Sequence, residues 1–88
     1  MLFMVIERFK DVSGVQERFR RMGRMLPDGV VYHTSWVEPG GVRCFQVMEA
    51  ESVAALEPWI SRWKDLADFE VIPVLTSAQF WAEFGRGA

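Results

Sequence analysis

The sequence contains a single cysteine, Cys44, and a single histidine, His33, among its 88 residues. One cysteine excludes a scaffold of disulfide bonds within the chain and is typical of a protein in a reducing cytosol. With one histidine, a subunit has no histidine cluster for a metal ion, and Cys44 alone makes no zinc site. We therefore expect neither a metal nor a cofactor.

Long apolar runs and an excess of one charge are also absent. The first six residues are apolar, but this run is far shorter than the roughly 18 residues of a membrane span, and Glu7 and Arg8 follow it. Twelve acidic and ten basic residues give a net charge of −2, whereas nucleic-acid-binding proteins usually carry a basic excess. We expect a cytoplasmic protein with no nucleic-acid and no membrane partner. The one basic cluster is interpreted as a solvated helix face and consists of Arg18, Arg20, Arg21 and Arg24.

Apolar residues are abundant by contrast. They make up half of the chain, and 14% of the residues are aromatic, which excludes a disordered chain. The length allows one compact domain over residues 1–88 and no second domain. Short apolar runs bounded by glycine and proline predict four strands, over residues 2–9, 30–38, 42–49 and 68–75.

Two helices are predicted between these strands. Ser13 and Gln16 have the spacing of a capping box, in which each side chain bonds the backbone N–H of the other residue, so they predict the start of the first helix. Ser52 is expected to cap the second helix. Pro58 is expected to kink that helix, because proline removes one backbone hydrogen bond.

Thr76 and Gln79 form a second capping-box pair and predict a short C-terminal helix over residues 77–84. The order of elements is then β-α-β-β-α-β followed by a helix, which is the order of the ferredoxin-like fold. We therefore predict an α+β protein with a four-stranded antiparallel sheet and two helices on one face of that sheet.

The other face of this sheet is predicted to be apolar as well. The strands of a sheet with one face in water alternate apolar and polar residues. The first strand does not alternate, because it is apolar at the odd positions Phe3 and Val5 and also at the even positions Met4 and Ile6. A second copy of the chain is the simplest cover, since two-fold dimers are the commonest oligomers. We therefore expect a homodimer whose two sheets face each other in a dimeric α/β barrel.

The hairpin between the second and third strands predicts which side chains line that barrel. A two-residue turn at Gly40 and Gly41 places Glu38 opposite Arg43, and this opposite-charge pair supports the register. The face that carries Trp36 is assigned to the helices and the other face to the barrel interior. A small-molecule pocket is predicted in that interior, lined by Met4, Ile6, His33, Ser35, Cys44, Gln46 and Met48.

Three residue types are candidates for chemistry. His33 has a suitable pKa for a general acid or base if Glu7, Glu49 or Glu70 orients it. Cys44 is interpreted as a buried, inert thiol rather than a nucleophile. Most aromatic residues are assigned to the core. Three others on the C-terminal helix are expected to help close the dimer or the mouth of the pocket, and these are Phe80, Trp81 and Phe84.

Six segments carry a resemblance to a known family: MLFMVIERF (1–9), GRMLPDGV (23–30), SWVE (35–38), RCFQVME (43–49), WISRWKDLADFEVIPV (59–74) and TSAQFW (76–81). They are similar to a small bacterial family called domain of unknown function 3303. The resemblance spans nearly the whole chain and implies membership of the dimeric α/β-barrel superfamily. It implies no activity, so no catalytic residue is carried over. Other branches of that superfamily include cofactor-less monooxygenases, muconolactone-isomerase-like proteins, haem-handling proteins and simple ligand binders.

The leading functional hypothesis is a homodimeric module that binds a small, largely apolar molecule between its two sheets. One alternative is a cofactor-independent enzyme, monooxygenase- or isomerase-like, that uses His33 as an acid or base. A further alternative is a purely structural or regulatory dimer, in which the polar groups inside the barrel only satisfy one another.

Overall fold

The computed structural model describes the backbone of residues 1–87 and the side chains of residues 1–84. The strands are β1 (Leu2–Phe9), β2 (Val31–Val37), β3 (Arg43–Glu49) and β4 (Ala67–Val74). The helices are α1 (Val12–Met22), α2 (Glu57–Ser61) and α3 (Ser77–Gly87), and a 3₁₀ turn over Val53–Leu56 directly precedes α2.

The four strands form one antiparallel sheet in the order β2-β3-β1-β4. β1 lies inside the sheet and pairs along its length with both β3 and β4. This sheet, together with the β-α-β-β-α-β order of the elements, makes the chain a ferredoxin-like α+β protein with an additional C-terminal helix. The predicted fold class is therefore confirmed.

The core lies between one face of the sheet and the helices. Phe3 and Val5 from β1 and Met48 from β3 are buried on this face. Trp59 and Trp63 from the second helical region cover them and are buried in turn. Because burying one side chain of this size stabilises a fold by roughly 1.5–3 kcal/mol, this layer holds the helices against the sheet.

The opposite face of the sheet carries many apolar side chains, as the two-parity pattern of β1 predicted, and also charged residues, among them Arg8 and Glu70. We call this surface the open face. Three of its apolar side chains, Val31, Trp36 and Ile72, are exposed, and the others are half-buried. Its apolar residues are Leu2, Met4, Ile6, Val31, Trp36, Phe45, Val47, Ile72 and Val74.

Asp11, rather than Ser13, caps α1. The Asp11 side chain accepts a hydrogen bond of 2.9 Å from the backbone N–H three residues later, and its extended backbone is typical of an N-cap. The helix ends at Met22 because Gly23 adopts a positive φ of 67°. Arg24 therefore lies beyond the helix, and its assignment to a solvated helix face is wrong.

The reason given for a kink at Pro58, the loss of a hydrogen bond inside the helix, does not apply. α2 begins at Glu57, so Pro58 lies in the first turn of the helix, where a backbone N–H has no partner within the helix. The residues before it form the 3₁₀ turn, and Ser52 makes no hydrogen bond to that turn through its side chain.

The turn of the β2–β3 hairpin differs from the prediction, although its register is confirmed. Arg43 Nε lies 2.7 Å from Glu38 Oε1. The Glu38 N–H also donates to the Arg43 carbonyl at 2.9 Å. Instead of a two-residue turn at Gly40 and Gly41, the Gly41 N–H donates to the Glu38 carbonyl at 2.8 Å. Gly41 alone of the two glycines has a positive φ, so the loop is longer than a type I′ turn.

A β-bulge interrupts the pairing of β2 with β3. Tyr32 lies opposite Met48, and Thr34 lies opposite the preceding residue of β3, so that His33 is an extra residue in its strand. The bulge brings Tyr32 and Ser35 to the same face although they are three positions apart. Their hydroxyl oxygens lie 2.7 Å from each other.

The capping box at the start of α3 is confirmed. The Gln79 N–H donates to Thr76 Oγ1 at 3.1 Å, and the Thr76 N–H donates to Gln79 Oε1 at 2.9 Å. Three aromatic rings of α3 lie against one another, yet all three remain exposed; they belong to Phe80, Trp81 and Phe84. Within residues 1–87, no helix is both long enough and apolar enough to cross a bilayer.

Replacing Asp11 with alanine is expected to lower the free energy of unfolding by about 1 kcal/mol, because the first turn of α1 loses its cap. Asp11→Asn keeps an accepting oxygen and should retain most of that stability. Ser13→Ala is the control and should change the stability by less than about 0.5 kcal/mol. Urea unfolding followed by circular dichroism measures all three, and a larger loss for Ser13→Ala than for Asp11→Ala would contradict the assigned cap.

Candidate functional site

The seven residues predicted to line one pocket lie on two opposite faces of the sheet. Met4 and Ile6 lie on the open face, where His33 contacts Glu49. The other four residues face the helices, and these are Ser35, Cys44, Gln46 and Met48. The prediction that all seven share the interior of a barrel is therefore wrong.

The pairing of β3 with β1 explains this error. Gln46 lies opposite Val5, which is fully buried beneath the helices. Because directly paired residues share a face of a sheet, Gln46 and its alternate neighbours in β3 must also face the helices. Trp36, which was assigned to the helices, is exposed on the open face instead. His33 lies on the open face, unlike the polar residues Ser35 and Gln46, because it occupies the bulge.

His33 lines a groove of about 490 Å³ at one end of the open face. Its Nε2 lies 2.8 Å from Glu49 Oε1, and both side chains are close to half exposed. Glu49 is one of the acidic partners predicted for His33, but water competes with a contact between exposed side chains, so this contact contributes little stability. None of the other six predicted pocket residues lines this groove, whose remaining walls are Met1, Leu2, Pro73, Val74, Leu75 and Gln79.

A second depression lies between the sheet and the helices, and we call it the helix-side cleft. Its volume is about 190 Å³. Apolar walls with a few convergent polar groups are the usual form of a small-molecule site, and this cleft has that form. Three of the predicted residues line it. Among the described residues, those that line it are Glu7, Phe9, Val15, Phe19, Arg24, Ser35, Val37, Cys44, Gln46, Trp59 and Trp63.

Glu7 is the buried carboxyl group of the cleft. Its side chain is only 8% exposed, and its Oε1 accepts a hydrogen bond from Nε2 of Gln46, which is also buried. Burial raises the pKa of Glu7 to about 7, because the charged carboxylate loses hydration, while the positive charge of Arg24 acts in the opposite direction. Near neutral pH the carboxyl group therefore populates both its protonated and its ionised form.

Arg24 supplies the positive charge of the cleft. Its guanidinium carbon lies over the Tyr32 ring, 3.5 Å from the centroid, and 5.2 Å from the centroid of Phe19. The backbone carbonyl of Arg24 accepts a hydrogen bond of 3.0 Å from the indole N–H of Trp63. This bond connects the segment after α1 to the segment after α2, and it fixes the backbone from which the Arg24 side chain extends.

The Cys44 thiol also lines the cleft. Burial raises its pKa to about 11, and the neighbouring charge of Glu7 adds to the effect, whereas Arg24 opposes it. The thiol is therefore protonated at neutral pH, which supports the interpretation of Cys44 as an inert group rather than a nucleophile. In the part of the chain that the structure describes, no three His, Cys, Asp or Glu side chains are grouped to hold a metal ion.

Several residues that line this cleft were not predicted from the sequence to belong to a binding site. Glu7 did carry a signal, because it has the same parity in β1 as Phe3 and Val5 and thus places a charge on a buried strand face. Arg24 carried none, since its position depends on where α1 ends. The aromatic walls were assigned to the core, and Trp59 is indeed both a core residue and a wall of the cleft.

The fold defines the chain as a ferredoxin-like α+β domain. The model of the family described as Domain of unknown function (DUF3303) matches residues 1–87, and the chain belongs to this family. No curated protein and no solved structure matches the chain. The family description assigns no activity.

Glu7→Gln is expected to stabilise the protein above neutral pH. The ordinary pKa of a glutamate, 4.5, applies to the unfolded chain, whereas the pKa is about 7 in the folded protein. Below the lower value both states hold the proton. Between the two pKa values the unfolded chain has lost the proton of Glu7 while the folded protein still holds it. The free energy of unfolding therefore falls as the pH rises through this range, and it stays reduced above the higher pKa. The difference between the two pKa values sets an upper limit of roughly 3 kcal/mol.

Urea unfolding from about pH 5 to about pH 9 measures this effect. The stability gain of Glu7→Gln should be small at the acidic end and largest above the folded pKa of about 7. Glu51→Gln alters an exposed carboxylate of the loop after β3 and is the matched control, which should follow the wild-type curve. A constant stability difference between Glu7→Gln and wild type across this range would contradict the raised pKa.

Proposed function

We propose that the protein is a homodimeric module that binds a small, largely apolar molecule in the helix-side cleft of each protomer. The observation that carries this proposal is a cleft with aromatic walls around the buried carboxyl group of Glu7. Burying a carboxyl group without an ion pair costs stability. A strongly perturbed carboxyl group in a cleft is typical of a functional site.

The dimensions of the cleft support a ligand with one ring. A cavity of about 150 Å³ in another protein binds benzene, and the cleft has about 190 Å³. Trp59 and Trp63 supply flat apolar walls for such a ring, and Ser35 and Gln46 supply polar groups nearby. The cleft therefore suits a ring with one small polar substituent.

The open face supports the homodimeric part of the proposal. A contiguous, partly exposed apolar surface is typical of an interface, and Met4 and Val47 lie paired in its middle. A two-fold axis would bring the same apolar surface to both sides of the contact and would form a dimeric α/β barrel. The exposed rings of α3 would extend this contact, and they belong to Phe80, Trp81 and Phe84.

The same arrangement favours the helix-side cleft over the groove at His33. Pairing of two open faces would cover that groove, whereas the cleft lies on the opposite side of the sheet. The cofactor-independent enzyme with His33 as an acid or base stays a prediction, supported by the 2.8 Å contact with Glu49. A cytosolic location also belongs to the proposal and is supported by the free, buried thiol of Cys44.

Val47→Glu is expected to convert the dimer into a monomer, because the new carboxylate would be buried in an apolar interface. Size-exclusion chromatography with light scattering should give twice 10.2 kDa for the wild type and 10.2 kDa for the variant. Val12→Glu makes the same change at the exposed start of α1 and should leave the dimer intact. A wild-type chain of monomer mass at roughly 100 μM would refute the homodimer.

Binding in the cleft is tested with three one-ring probes of different charge: phenylacetate, phenylacetamide and 2-phenylethylamine. At least one of them should raise the thermal unfolding midpoint by mass action and shift the indole N–H signals of Trp59 and Trp63 in NMR spectra. Ser35→Leu should remove the effect by filling the cleft. Thr34→Leu adds the same side chain on the open face and should keep it. The absence of any shift at roughly millimolar concentrations of all three would refute ligand binding.

A further inference from the structure

We infer that the ligand of the helix-side cleft is a small organic carboxylate with an aromatic or alicyclic body, and that Arg24 binds its carboxylate group. This inference rests on the proposed function and names the chemical class of its ligand. Three observations support it: an arginine that forms no ion pair with the described residues, a backbone that is fixed around this arginine, and the balance of charge in the cleft when Glu7 is protonated.

Arg24 has hydrogen-bonding capacity that the described residues leave unused. A guanidinium carries five N–H donors in a plane that matches a carboxylate. Among residues 1–84, no carboxylate lies within ion-pair distance of Arg24, although ion pairs occur at other positions. Arg18, for example, donates two hydrogen bonds to Asp65. Arg24 instead lies over the Tyr32 ring at 3.5 Å, which leaves its donors available at the cleft.

Hydrogen bonds fix the backbone at Arg24 and Met25, so this segment is not a free surface loop. The indole N–H of Trp63 donates to the Arg24 carbonyl at 3.0 Å, and Arg62 Nη1 donates to the Met25 carbonyl at 2.5 Å. Met25 has a positive φ of 58°, which is uncommon for a residue other than glycine. The backbone of this segment is therefore in place before any ligand arrives, and with the guanidinium over the Tyr32 ring less freedom is lost on binding.

While Glu7 is protonated, the charge balance of the cleft favours an anion over a cation. Glu7 is the one acidic residue in the described lining, and Arg24 is the one basic residue. When Glu7 is protonated the cleft carries a net positive charge, and the neutral carboxyl group can donate a hydrogen bond to a ligand oxygen. An organic cation would instead face the guanidinium of Arg24.

The other groups that face Glu7 do not alter this balance. Cys44 from β3 is a protonated thiol at neutral pH, because burial raises its pKa to about 11. α1, β2 and the region of α2 contribute only uncharged side chains to the lining, and these are Val15, Phe19, Ser35, Val37, Trp59 and Trp63. The protonation of Glu7 is thus the one titration near neutral pH that changes the charge of the cleft.

Carboxylate binding is therefore coupled to proton uptake. A bound anion beside Glu7 favours the protonated carboxyl group, so above the folded pKa of about 7 binding takes one proton from solvent onto Glu7, and no covalent bond of the ligand changes. The dissociation constant for the carboxylate should rise by up to about tenfold per pH unit in that range.

The test compares phenylacetate, phenylacetamide and 2-phenylethylamine by isothermal titration calorimetry on the full chain at about pH 6, where phenylacetate is ionised. Phenylacetate should bind at least about tenfold more tightly than either other probe. Arg24→Gln should weaken phenylacetate binding by about tenfold or more and leave phenylacetamide binding within about threefold. Arg21→Gln removes an exposed charge of α1 and is the matched control, which should change neither.

The pH dependence supplies a second, independent readout. Phenylacetate should bind Glu7→Gln with the same affinity at about pH 6 and about pH 8.5, whereas the wild type should lose affinity over this range. If Arg24→Gln fails to fold, Arg24→Lys replaces it, since a lysine keeps the charge but lacks the planar fork and should retain only part of the affinity.

Different results overturn different conclusions. If phenylacetamide or 2-phenylethylamine binds as tightly as phenylacetate, or if Arg24→Gln binds phenylacetate like the wild type, the assignment of a carboxylate ligand is wrong and the binding function stands. If none of the three probes binds, the proposed function falls and this inference falls with it.

Discussion

The whole structure depends on β1 lying between two neighbouring strands with apolar side chains on both of its faces. Phe3 and Val5 anchor the helices on one side, and Met4 and Ile6 form the middle of the open face on the other. Glu7 follows the first pair on the helix-covered face and places a carboxyl group where the core ends. One strand thus determines the position of the core, of the apolar face and of the cleft.

Local sequence patterns predicted the elements well, because strands and helix ends depend on nearby residues. All four strands begin and end within one residue of their predicted limits. The pairing of Glu38 with Arg43 was also predictable, since both residues flank one short loop. The bulge at His33 was not, because it depends on how β2 fits against β3, and an alternating pattern has no separate signal for one extra residue. Asp11 and Ser13 are both good capping residues, so composition alone did not choose between them.

The candidate site was predicted in part. Ser35, Cys44 and Gln46 were named from the hairpin register and do lie together in the cleft. Their surroundings were wrong, because the register of a hairpin says which side chains share a face but not which face the helices cover. The position of Arg24 in the cleft could not be predicted from local sequence patterns, because its backbone carbonyl is bound by the indole N–H of Trp63, 39 positions away.

Both edge strands of the sheet carry features that hinder the addition of further strands. An unpaired edge offers backbone N–H and C=O groups to other chains and is a route to aggregation. β2 carries the bulge at His33, and β4 carries Pro73, which has no N–H, together with the acidic residues Asp68 and Glu70. Bulges, prolines and charges all oppose edge-to-edge pairing. Growth of the sheet into an open-ended fibre is therefore hindered at both margins, and an association through the open face would be saturated by a single partner.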